Sequence, residues 1–162
     1  MNKVVLLLAG LILLIGCQLA AGTETGRGQT DSIPPMPTLD PEAVALGQRV
    51  YAIHCADCHG VELEGEPNWQ DQNEDRSFRA PPHDASGHTW HHGDDLLIEI
   101  TRLGGARLPA NIGGTSNMPA YADILSDEEI LAVLDYIKSS WSADLRQIQW
   151  EQTLRERAAT SD

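Results

Sequence analysis

Residues 55–59 read Cys-Ala-Asp-Cys-His, and no other segment constrains the fold as tightly. Two thiols three positions apart on one helical turn reach the two vinyl groups of a single porphyrin, and the next residue swings its imidazole under the iron. The Cys-x-x-Cys-His pattern therefore implies one covalently attached haem c, with Cys55 and Cys58 as the thioether residues and His59 as an axial ligand. A redox dithiol has no use for the trailing histidine, and a zinc site needs two further ligands at matching spacing. The sequence holds three cysteines in all, so a second pair is absent. A chain built this way is expected to fold around a flat apolar disc, and electron transfer is the first function such a group suggests.

The third cysteine speaks to location. Residues 1–16 combine a charged start at Lys3 with an apolar run from Val4 to Ile15, too short for an ordinary membrane span and shaped like a cleavable export signal. The ending Leu14-Ile15-Gly16-Cys17 resembles the lipobox of bacterial lipoproteins, and that resemblance implies that Cys17 is acylated and becomes the mature N-terminus. Lipidation also removes a thiol that would otherwise stand exposed outside the cytoplasm. The expectation is an extracytoplasmic, membrane-anchored protein. An uncleaved signal anchor is the alternative.

After cleavage the mature segment holds 10 Lys+Arg, the total of 11 less Lys3, against 24 Asp+Glu, a charge of about −14 before histidines count. Such a surface disfavours nucleic acid and anionic lipid as direct ligands. It favours redox partner proteins with basic docking surfaces, because charge steering speeds the formation of short-lived complexes. Solubility alone is the plainer explanation.

Residues 17–39 read as a lipid-anchored flexible tether, with Thr-Glu-Thr-Gly-Arg-Gly-Gln-Thr followed by the stiffer Ile33-Pro34-Pro35-Met36-Pro37. Fully extended, the 22 residues Gln18–Leu39 reach at most about 70 Å. The remainder divides into a domain at 40–140 and a C-terminal helical extension at 141–162. Asp40-Pro41-Glu42 predicts a helix start, and that helix runs towards His54 with Val44, Gly47, Val50 and Tyr51 on one face. Ser126-Asp127-Glu128-Glu129 is a capping box that opens an amphipathic helix to about Ser139. Asp94-Asp95 opens another, ended by Gly104-Gly105, and a weaker helix is expected over 142–158.

With these elements placed, residues 40–140 resemble the class I cytochromes c, in the small monohaem branch related to the cytochrome domains of bacterial cbb3-type terminal oxidases. The resemblance implies an all-α fold of three to five helices around one haem c, with long loops. It implies that the helix carrying Gly47 and Tyr51 crosses the helix carrying Tyr136. The family's second iron ligand is a methionine before the last helix, commonly followed by proline, which points to Met118 in Asn117-Met118-Pro119-Ala120-Tyr121. A proline carbonyl accepts a hydrogen bond from the ligating histidine in the family, a part that falls to Pro81 or Pro82 here at longer spacing than usual. The implied function is a single-electron carrier between respiratory complexes or to a terminal oxidase, not an enzyme.

Residues 61–93 form the unusual stretch, a long loop that carries His83, His88, His91 and His92 with Trp90. Three readings stand: a copper or zinc site formed by His88, His91 and His92, a docking loop in which Trp90 and a histidine donate to haem propionates, or a polar cover without chemistry of its own. His54 reads as a surface residue. The rival functions are a haem sensor or peroxidase-like enzyme with an exchangeable sixth iron position, and a copper-handling lipoprotein.

Overall fold

The first ordered helix begins where a carboxylate meets an unsatisfied N–H: Asp40 accepts from the backbone of Glu42 at 3.0 Å, and Pro41 occupies the first helical position. In this computed structural model, which describes residues 33–109 and 111–161, helix α1 spans Pro41–His54. The signal segment, Cys17 and the tether up to residue 32 lie outside the described residues. A short helix α2 (Ala56–His59) follows at once, then a loop to Gly93, α3 (Asp94–Leu103), a second loop, α4 (Asp127–Ser139) and α5 (Ala143–Thr160). These are five α-helices among the described residues, and the fold is the all-α one expected, with a single two-residue parallel ladder added between β1 (Ser77–Phe78) and β2 (Thr115–Ser116).

Helices α1 and α4 form the principal pair. The Ser126 side chain accepts from Glu129 N–H while the Glu129 carboxylate accepts from Ser126 N–H, closing both ends of the capping box. The buried face of α4 (Ile130, Val133, Leu134 and Ile137) meets Val50 and Tyr51 of α1 in one apolar cluster. The two backbones touch at Gly47, where any Cβ would overlap the carbonyl of Ala132. The aromatic rings of Tyr51 and Tyr136 lie 5.3 Å apart across this crossing.

The last helix is longer and better anchored than its weak sequence signal suggested. Helix α3 starts at Gly93, which has no side chain to cap it. The missing acceptors come from α5: Glu156 accepts from Gly93 N–H at 3.1 Å, and the Thr153 hydroxyl accepts from Asp94 N–H at 3.1 Å. Gln149, almost fully buried, donates to the His92 carbonyl and to Asp94. The Arg157 guanidinium grips the Asp95 carboxylate through two bonds of 2.8 Å. The buried face of α5 is thus polar, which hides it from any search for apolar periodicity.

The tail end of the expected tether is tied down. Trp150 of α5 donates its indole N–H to the Pro34 carbonyl at 2.8 Å, so the chain is held against α5 from Pro34 onward. Among the described residues no helix is long and apolar enough to cross a membrane.

Candidate haem-binding site

Helix α1 leads directly into the Cys-x-x-Cys-His turn. Cys55 caps α1, its N–H donating to Tyr51, and its own carbonyl accepts from Cys58 and His59 at 3.2 and 2.9 Å. One helical turn therefore presents Cys55, Cys58 and His59. Both thiols are free. Burial, and secondarily Cys58, push the Cys55 thiol up to about 11. A working redox dithiol needs the opposite shift, a thiolate favoured near neutrality.

The His59 ring is buried, and its Nδ1 lies 2.8 Å from the Pro81 carbonyl. A carbonyl only accepts, so Nδ1 carries the hydrogen and Nε2 holds the lone pair suited to a metal. Burial lowers the His59 pKa, only partly opposed by the Pro81 bond, and keeps the ring in the neutral ligating form. Of the two prolines considered from sequence, Pro81 holds this place. The buried Tyr51 hydroxyl donates to the carbonyls of His59 and Gly60 at 3.2 and 3.0 Å, fixing the end of the turn from α1.

Sequence reasoning grouped His83 with its loop neighbours and missed its position. Its ring stacks on His59 with centroids 4.1 Å apart and planes 24° from parallel. Thr89 pairs with its Nδ1 at 2.9 Å, and its carbonyl accepts from the Trp141 indole at 2.7 Å. Burial, then the nearby His59 and His88, hold its pKa well below the ordinary histidine range. Only the preceding Pro-Pro pair hinted at it, by placing residue 83 just beyond the carbonyl that orients His59.

Met118 lies on the loop between α3 and α4, partly buried, and packs with Cys55 against the one core cluster. Its carbonyl accepts from Gly105 at 2.9 Å, and its N–H donates to the Ser116 hydroxyl at 3.2 Å. Gly104, at φ +54°, leaves no space for a Cβ beneath the carbonyls of Met118 and Pro119. Three residues on, Tyr121 donates its hydroxyl to the His54 carbonyl, with the two rings edge to face at 6.0 Å. Burial and the two thiols together raise the Tyr121 pKa, as its nearness to Cys55 and Cys58 requires. His54 is accordingly half-buried under Tyr121, not a plain surface residue.

Cys55, Cys58 and His59 thus stand on one turn, the imidazole with its tautomer set, while Met118 packs with Cys55 against the same core cluster on a loop that Tyr121 ties to His54, just before that turn. This donor set fits a covalently held haem.

Of the three readings of the loop histidines, the metal site is not supported. Among the described residues no group of three or more His, Cys, Asp or Glu side chains is placed to hold a metal ion. Each ring is engaged with an aromatic neighbour: His88 stacks on Trp69 at 5.2 Å, His91 on Trp90 at 3.7 Å, and His92 meets only the edge of His88. With His91 on the Thr89–His91 turn and His88 and His92 flanking it, the three rings face different neighbours, and copper at this loop is not supported. Trp90 also departs from the propionate-donor reading, since its indole donates to the Gly87 carbonyl within the loop at 3.1 Å.

No curated protein and no solved structure matches the chain. A family model described as Cytochrome c matches residues 44–141, from within α1 past the end of α4. That span takes in the Cys-x-x-Cys-His turn, the Pro81 carbonyl and the Met118 loop, and with them the chain belongs to the cytochrome c family, the haem-based electron carriers.

Proposed function

We propose that the protein is a monohaem electron carrier with His59 and Met118 as axial ligands, held by acylated Cys17 on the outer face of a bacterial membrane and serving respiratory complexes. It acts as a relay rather than an enzyme. The observation that carries this reading is His59 held by the Pro81 carbonyl with Nε2 left for a metal, beside a Met118 loop that Tyr121 bonds to His54, next to the attachment turn. Haem held by Cys55, Cys58, His59 and Met118 would supply the one-electron chemistry. The chain's own residues attach it, orient its ligands and exclude water. A thioether ligand favours ferrous iron and a higher potential than a second imidazole would.

Charge around the attachment turn supports a basic partner. Residues 57–75 carry Asp57, Glu62, Glu64, Glu66, Asp71, Glu74 and Asp75 without a Lys or Arg. The next two cations are used internally, Arg76 on the Gly113 carbonyl and Arg79 on the Pro67 carbonyl, both at 2.8 Å. An acidic field at the electron entry point speeds encounter with a cationic surface in a salt-dependent way.

The decisive measurement is the optical spectrum of the oxidised holoprotein. The weak long-wavelength sulfur-to-iron charge-transfer band is expected in the parent and is expected to vanish in Met118→Ala. A parent spectrum without the band refutes Met118 as ligand. For the anchor, Cys17→Ala is expected to move the protein from the membrane fraction to the soluble one, and persistent membrane association would instead support an uncleaved signal anchor.

A further inference from the structure

The connection between His59 and Pro81 is longer than a carbonyl partner for His59 requires. Residues 72–79 reach across to the loop that carries Met118. Strand β1 pairs in parallel with β2, Ser77 opposite Thr115 and Phe78 opposite Ser116. Thr115 donates its N–H to the Arg76 carbonyl at 3.2 Å. The side chains of Arg76 and Gln72 both donate to the Gly113 carbonyl, at 2.8 and 3.2 Å. Ser116, the last residue of β2, is the one whose hydroxyl accepts from Met118 N–H. A continuous run of bonds thus joins Arg76 to the candidate ligand.

The reaching segment is itself stiff. Asn73 donates its backbone N–H to the Ser77 carbonyl and its side-chain amide to the Ser77 hydroxyl, Asp75 accepts from both the N–H and the hydroxyl of Ser77, and Ser77 is almost wholly buried. Arg79 pins its base to Asn73 and Pro67. Arg76 sits at φ +67°, a conformation that a residue with a Cβ adopts only where its surroundings impose it. The fit is close on the other side too, since a Cβ at Gly114 would overlap the Gln72 side chain and press on the Arg76 carbonyl and the Phe78 ring.

We propose that residues 72–79 are a clasp that holds loop 113–118 closed, with Arg76 as the positioning residue that keeps Met118 on the iron. The proposal rests on Met118 being the axial ligand. Physically, an external ligand enters only when Met118 is off, so its apparent affinity scales with the open fraction of the loop, and the clasp keeps that fraction small.

The test is imidazole titration of the oxidised holoprotein, read as loss of the sulfur-to-iron band. Arg76→Gly keeps the positive φ available and removes the whole side chain, the guanidinium with it. Combined with Gln72→Ala it removes both bonds to Gly113. The double variant is expected to lose the band at roughly tenfold lower imidazole, less than the full scale of one charged and one neutral hydrogen bond because both bonds face solvent. Thermal unfolding of the holoprotein should move little, and Arg76→Lys should restore part of the protection. Gly114→Ala disturbs the same junction from the opposite strand and is expected to act in the same direction. Equal imidazole affinity in variants and parent, in a parent that shows the band, overturns the clasp alone. A parent without the band removes the ligand reading and the clasp together.

Discussion

Changing both Cys55 and Cys58 to alanine is expected to abolish haem staining on a denaturing gel completely, whereas either single change leaves a weaker stain. The reasoning is geometric: each cysteine supplies one thioether, both stand on the same turn, and the remaining cysteine, Cys17, lies far along the chain from it. Staining that survives in the double variant would refute covalent attachment. The loss should reach stability as well. A ligand that binds only the folded state stabilises it by mass action, and covalent attachment makes that ligand inseparable. The apolar cluster of Val50, Leu97, Tyr121, Leu125 and Ile130 packs against Cys55 and Met118. A haem-free chain would lose that mass-action stabilisation, and its thermal transition should fall.

Gly47→Val is expected to cost about 3 kcal/mol or more, among the largest losses from a single substitution outside the haem ligands. The constraint is space rather than backbone angle. The added carbons would enter the Ala132 carbonyl and come within 2.9 Å of Tyr136 Cβ, and neither helix can yield without parting the Tyr51 and Tyr136 faces. Gly47→Ala should cost less, on the order of 1–3 kcal/mol, since one methyl demands a smaller shift. Denaturant unfolding of the holoprotein followed by far-ultraviolet circular dichroism measures both. With total stabilities commonly about 5–15 kcal/mol, the valine variant sits near the edge of folding. A cost below about 1 kcal/mol would show that the crossing is looser than the close approach of α1 and α4 implies.

What was legible in the chain was local or periodic. Asp40-Pro41 and the Ser126/Glu129 box announce helix starts because the capping groups sit within a turn of the N–H donors they satisfy. Cys55, Cys58 and His59 were readable because their chemistry fixes their spacing. What escaped was made of single contacts between distant residues. Thr153 and Glu156 capping α3 from about sixty positions away leave no pattern. The β1–β2 ladder is two residues long, too short for alternation to register. His83 looked like its neighbours His88, His91 and His92, yet it stacks on His59 while they lie against Trp69, Trp90 and each other. A histidine's role here depends on what meets its face, and composition does not encode that.

The dependence of α3 on α5 also bears on how the molecule opens. Trp141 donates to the carbonyl of His83, and residues of α5 complete the start of α3, so the loop that stacks on His59 and the head of α3 are tied by one neighbouring stretch of chain. Without those residues the first turn of α3 has unmet donors and the loop over His59 lacks its outer tie. Lifting of α5 should therefore loosen the cover over His59 and the start of α3 together, as one cooperative unit rather than as a fraying end.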